Sequence, residues 1–233
     1  MTNGRRLGVI GGTFDPIHYG HLDAADAART ALALDEILVV PTHDPPHRPV
    51  DPRATAFHRF ALAALAIDGR DGWRLSDMEL RRPGRSYTWD TLRALHESGW
   101  DASQIFFILG TDAFAEIASW RAYPEVLDAA NFVVIARPGT TLAQALARTP
   151  DLVARAGTPA GAGAAPERTR VVLVEANTRD VSSTIIRQRL TAGQAIDDLV
   201  PPAVVRHILV HALYRAEDDL HGKDERDQDQ HAH

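Results

Sequence analysis

The sequence predicts an α/β fold: a doubly wound, mainly parallel sheet with helices on both faces. Three observations predict it. Short β-rich runs alternate with longer Ala/Leu-rich stretches along the chain. Several of those runs are apolar at every position, as strands covered on both sides must be. Finally, the connections are long enough to hold crossover helices, which parallel neighbours require.

The elements follow in order. Strands are expected at "LGVI" (7–10), "EILVVP" (36–41), "WRLSD" (73–77), "IFFIL" (105–109), "NFVVIA" (131–136) and "RVVLVE" (170–175). Helices are expected near 20–33, 53–67, 88–98, 111–118, 141–155, 183–192 and 202–214. The segment 155–168, "RAGTPAGAGAAPER", is dense in Gly, Ala and Pro and reads as a flexible insertion between core elements. Without an internal repeat or a second core, residues 1–215 are expected to form one domain.

Composition narrows the classes of function. The net charge of −6 is concentrated in residues 216–233, where seven acids face Lys223 and Arg226. That stretch reads as a disordered acidic tail, and the body is left nearly neutral. A neutral body lacks the basic surface that nucleic-acid binding demands. Absence of cysteine excludes disulfides and thiolate zinc sites and suits a reducing cytoplasm. No apolar run approaches 18 residues and no secretory leader is recognisable, so a soluble protein is expected.

Chemistry concentrates at two places. In "GVIGGTFDPIHYGH" the first strand runs directly into Gly11 and Gly12, followed by Thr13 and Phe14. Glycine there lets a phosphate approach the backbone N–H groups. Asp15-Pro16 is expected to form a turn with Asp15 as a local cap. His18 and His21 stand one helical turn apart with Gly20 between them. The pair could be ordinary packing histidines, or two ligands of a metal whose third ligand is missing. After a glycine turn at a helix start, donors to a phosphate fit better. In "DVSSTIIRQRLTAG", Ser182, Ser183 and Thr184 open a second helix, and Arg187 shares their face. Gly193 is placed to close that helix. Together the two segments suggest two cradles for one polyphosphate.

These motifs resemble the HxGH and ISSTxxR signatures of the nucleotidyltransferase superfamily, in the same order and about 160 residues apart. Further stretches, "PTHDPPHRP", "RSYTWDTL", "GTDAF", "SWRAYPEV" and "ARPG", are similar to bacterial nicotinate mononucleotide adenylyltransferases. The resemblance implies a Rossmann-like fold, and adenylyl transfer from Mg²⁺-ATP to nicotinate mononucleotide. It places His18, His21 and Arg187 in catalysis. For ATP it implies Gly11, Gly12, Thr13, Phe14, Gly110, Asp112, Ser182, Ser183, Thr184 and Arg187, with Mg²⁺ carried by the phosphates and no protein metal site. For the acceptor it implies His47, Arg48, Tyr87, Thr88, Trp120 and Arg137. A flat anionic pyridine independently suits an aromatic platform with N–H and hydroxyl donors. The alternatives are a sister transferase for phosphopantetheine or glycerol phosphate, a preference for nicotinamide mononucleotide, and a nucleotide sensor without catalysis. Neither a membrane nor a nucleic acid is an expected partner, and a homo-oligomer is left open.

Overall fold

A computed structural model of the chain describes residues 4–45, 52–136, 144, 150–157 and 169–215. Seven strands form one sheet: β1 (Leu7–Gly12), β2 (Glu36–Pro41), β3 (Trp73–Leu75), β4 (Ile105–Gly110), β5 (Asn131–Ala136), β6 (Ala156–Gly157) and β7 (Val171–Glu175). Their order is β3-β2-β1-β4-β5-β7-β6 and every pairing is parallel. The helices are α1 (Tyr19–Leu32), α2 (Ala56–Ile67), α3 (Thr88–Glu97), α4 (Thr111–Ala115), α5 (Ser183–Thr191) and α6 (Pro202–Val210).

The period-2 geometry of a strand divides each apolar run between two cores. Ile10, Ile37, Val39, Ile108 and Val133 join α1, α2, α5 and α6 on one face. Val9, Leu38, Val40, Phe107 and Val134 join Leu92 and Leu95 of α3 and Phe114 of α4 on the other. Both faces are therefore dry, which explains the unbroken hydrophobicity of β2 and β5. Gly8 serves this packing: a Cβ there would lie 2.6 Å from Ile37 Cδ1 and 2.8 Å from Leu34 Cδ1.

Several boundaries differ from the sequence expectation. The 73–77 strand stops at Leu75, because β3 is an edge strand paired with β2 alone. The 111–118 helix divides into α4 and a 3₁₀ turn at Ile117–Ser119. The last helix ends at Val210 rather than 214, with Ala212 and Tyr214 at φ 48° and 65°. Of the expected 141–155 helix, Pro150–Arg155 is a 3₁₀ turn and most of the rest lies outside the described residues. The segment read as an insertion begins with the edge strand β6; its residues 158–168 and the tail 216–233 lie outside the described residues.

Candidate active site

The carboxyl end of β1 delivers Gly11 and Gly12 to the sheet edge, where the strand order reverses between β1 and β4. Clefts at this point are where ligands bind in open α/β sheets. Phe14, at φ 49°, turns the chain back, and its buried ring packs edge-on against His21 with centroids 5.0 Å apart. His18 is the residue before the first turn of α1, in extended conformation at φ −148° and ψ 170°. Its backbone N–H donates to His21 Nδ1 at 3.2 Å, and the two rings stack with centroids 3.7 Å apart. Because His21 Nδ1 accepts, the proton of the neutral ring sits on Nε2. His18 is only 6% exposed, and burial pushes its imidazole down to about 4. It is therefore uncharged at neutral pH. Its Nδ1 is buried and has no hydrogen-bond partner among the described residues. Gly20 allows this arrangement, since a Cβ there would stand 3.1 Å from His18 Nδ1 and 3.2 Å from Val181 Cγ1.

Val181 belongs to the second segment, so the two meet. Ser182 caps α5 by accepting from the Ile185 N–H at 3.2 Å. Ser183 Oγ donates to the Pro16 carbonyl at 2.9 Å. Arg187 Nη1 donates to the Asp15 carbonyl at 2.7 Å, and Nη2 to Thr184 Oγ1 at 3.1 Å. Residues more than 160 positions apart are thus joined by direct bonds, with the N-termini of α1 and α5 at one edge.

Asp15 does not act as the local cap expected of it. Its buried carboxylate accepts from the Arg53 and Ala54 N–H groups at 3.0 and 3.1 Å and from the Tyr214 hydroxyl at 2.9 Å. Arg187 stands 3.8 Å from the same carboxylate. Below them Arg59, 1% exposed, donates to the carbonyls of Thr13, Thr42, His43 and Ala54. Burial and the adjacent Asp15 carboxylate push the Tyr214 hydroxyl up, so it remains a donor.

Two cavities flank the end of β1. One, of about 440 Å³, is lined by His18, His21, Gly110, Asp112, Thr178 and Arg179 among others. The second, of about 350 Å³, is lined by Gly12, Thr13, Glu79, Tyr87, Thr88 and Trp120 among others. Gly11, Leu109 and Ala113 line both, so the cavities share a wall. A third, of about 380 Å³, lies against Arg53, Thr184, Arg187 and Gln188. Trp120 is half-buried and packs edge-on against Phe107 with centroids 6.0 Å apart. Tyr87 lies beneath the Arg121 guanidinium, 4.8 Å from its ring centre, and Arg121 also pairs with Asp90 at 3.1 Å.

Most residues singled out from the sequence converge on this edge. Phe14 lines neither of the two cavities that flank β1 but supports His21. His47, Arg48 and Arg137 lie outside the described residues. Sequence reasoning missed Glu79, Glu116 and Arg121 in one cavity, Thr178 and Arg179 in the other, and the supports Arg53, Arg59 and Tyr214. Only Arg59 carried a signal, as a charge on the apolar face of α2.

A dry parallel sheet with helix N-termini, paired imidazoles and a guanidinium at its switch point defines a nucleotidyltransferase. The chain matches the cytidylyltransferase-like family across residues 9–189 and belongs to it. A protein of Roseiflexus sp. (strain RS-1) is 41% identical over 90% of this chain and 98% of its own length. One of Shewanella sp. (strain MR-4) is 37% identical over 90% and 99%. Both bear the name "Probable nicotinate-nucleotide adenylyltransferase", and within the family the chain groups with these enzymes. Among solved structures, the Plasmodium falciparum nicotinic acid mononucleotide adenylyltransferase complexed with NaAD shares the fold. Its TM-score is 0.68 at 21% identity, over 90% of this chain and 97% of that one. No helix among the described residues is long and apolar enough to cross a membrane.

Proposed function

We propose that the chain transfers the adenylyl group of ATP to nicotinate mononucleotide, giving nicotinate adenine dinucleotide and pyrophosphate in NAD biosynthesis. The observation that carries this reading is the junction of the two segments, Ser183 to Pro16 and Arg187 to Asp15, beside the wall between two cavities. Such a wall lets two substrates meet at one phosphorus. ATP occupies the cavity of His18, His21, Gly110 and Asp112, and the acceptor that of Tyr87, Thr88 and Trp120.

An oxygen of the acceptor's 5′-phosphate attacks the α-phosphorus in line. A new P–O–P linkage forms as the bond from the α-phosphorus to its bridging oxygen breaks, and pyrophosphate departs with that electron pair. No covalent enzyme intermediate is needed. The protein's contribution is alignment and stabilisation of charge on nonbridging oxygens. His21 Nε2–H donates near the α-phosphate, together with the N–H groups at the start of α1. Ser183, Thr184 and Arg187 hold the leaving pyrophosphate, because a guanidinium fork anchored on the Asp15 carbonyl keeps further donors for phosphate oxygens. No three His, Asp or Glu side chains among the described residues converge on a metal site, and Asp15 is committed to protein partners. Mg²⁺ is accordingly read as part of the Mg-ATP substrate, where it neutralises phosphate charge. A cytoplasmic setting fits a chain without cysteine.

Purified protein incubated with Mg-ATP and one acceptor at a time tests this reading by pyrophosphate release. Nicotinate mononucleotide is expected to give the highest kcat/KM. Release with phosphopantetheine alone would overturn the acceptor assignment.

A further inference from the structure

Glu79 is the one carboxyl in the Tyr87–Trp120 cavity that is itself buried, at 5% exposure. Its Oε1 accepts from the Thr91 hydroxyl, and its Oε2 is buried without a hydrogen-bond partner among the described residues. An orphaned oxygen in a dry wall costs far more on an ionised carboxylate than on a protonated carboxyl. The same wall is to receive a pyridine bearing either a carboxylate or an uncharged amide, ligands that differ chiefly in charge. We propose that the protonation of Glu79 sets the choice between acid and amide acceptors: the neutral carboxyl admits the anionic pyridine, and the ionised carboxylate opposes it. The proposal rests on reading this cavity as the acceptor site.

The surroundings of Glu79 decide the direction of its titration. Burial raises it above the usual carboxylate range, and Asp90 on α3 pushes the same way. The Thr91 and Ser86 hydroxyls and the Arg82 guanidinium pull it back. Arg82 also donates to Thr91 Oγ1 at 3.2 Å, and Ser86 Oγ accepts from the His43 N–H at 2.9 Å. Tyr87, Glu116 and Arg121 line the same cavity, with Arg121 paired to Asp90. Thus Glu79 is tied to α3 through Thr91 while lining the ligand space. A cavity of about 350 Å³ is about 9 Å across if round. At the effective dielectric of a protein site, a unit charge at that distance changes the affinity of an anion roughly 20-fold.

The test is the ratio of kcat/KM for nicotinate mononucleotide to that for nicotinamide mononucleotide, measured from pH 4.5, the ordinary carboxylate value, to pH 9. Titrations of ATP, of His18 and of the acceptor phosphate are common to both substrates and cancel. The wild-type ratio is expected to fall roughly 20-fold as pH rises through the elevated Glu79 pKa. In Glu79→Gln, isosteric and uncharged, the ratio stays at the acid-favouring plateau at every pH. Thr91→Val removes a hydrogen bond that favours the ionised form, so its midpoint moves to higher pH. Thermal melts confirm folding of both variants. A flat wild-type ratio, or a Glu79→Gln protein that keeps the wild-type fall, overturns the proposal while the acceptor reading stands. Pyrophosphate release with neither acceptor overturns both.

Discussion

His18 makes the stability of this protein depend on pH in a way that one substitution can isolate. Its ring is 6% exposed, and burial depresses its pKa from 6.5 to about 4. The unfolded chain therefore binds this proton more readily than the folded one. The contribution is complete above pH 6.5 and is lost as pH falls towards 4. The full gap corresponds to about 3 kcal/mol, of which about 2 kcal/mol is lost by pH 5. For a chain of this length that is a fall in Tm of roughly 4–8 °C. Urea melts at pH 7.5 and pH 5.0 on the wild type and on His18→Gln give the double difference, in which all other titrating groups cancel. The variant is expected to lose about 2 kcal/mol less than the wild type over that interval. If both proteins lose the same amount, burial does not hold His18 neutral, and the reading of its ring as uncharged at neutral pH falls with it.

Three further substitutions probe the site. His21→Ala should lower turnover by about 10²–10³-fold with its thermal melt little changed, as for loss of one well-aimed donor; near-normal pyrophosphate release would refute the assignment. Arg187→Lys should raise KM for ATP by about 10-fold or more, because one ammonium cannot hold both the Asp15 carbonyl and Thr184 Oγ1 while reaching a phosphate. Trp120→Ala should raise KM for nicotinate mononucleotide about 2–10-fold and leave KM for ATP unchanged, which initial-rate kinetics with each substrate varied in turn will show.

What the sequence made legible was local physics. The β2 and β5 runs announced strands covered on both faces, and the structure covers them on both faces. The glycine pair, the His18–His21 spacing and the Ser182 cap are likewise properties of a few adjacent residues. What stayed hidden depends on chain separation. Tyr214 reaches Asp15 across 199 positions, and Arg59 reaches Thr13 across 46. No pattern within a window of 18 residues encodes such a bond. The end of the last helix was hidden for a different reason: Ala212 and Tyr214 take positive φ without glycine, so no stop signal is written there. Glu79 stands in no motif, and its burial is a product of the fold alone.

Three buried polar residues have a common physical role that no local pattern encodes. Asp15, Arg59 and Tyr214 are buried and polar, and each binds segments remote from its own. An apolar side chain of equal volume could fill the place of Arg59, commonly at no loss of stability. It could not hold the carbonyls of Thr13, Thr42 and His43 together. Thr13 and Thr42 both line the Tyr87–Trp120 cavity, and Thr13 lies on the same loop as His18. One guanidinium therefore fixes how that loop sits against the loop of the second cavity. The in-line transfer proposed for this site would require reacting atoms roughly 3–3.5 Å apart and aligned, a tolerance well below 1 Å between loops that share no strand pairing beyond the β1–β2 ladder. Packing alone leaves such loops free to slide. A buried charge whose donors are satisfied by those particular carbonyls does not, because each lost bond strands a charged donor away from water.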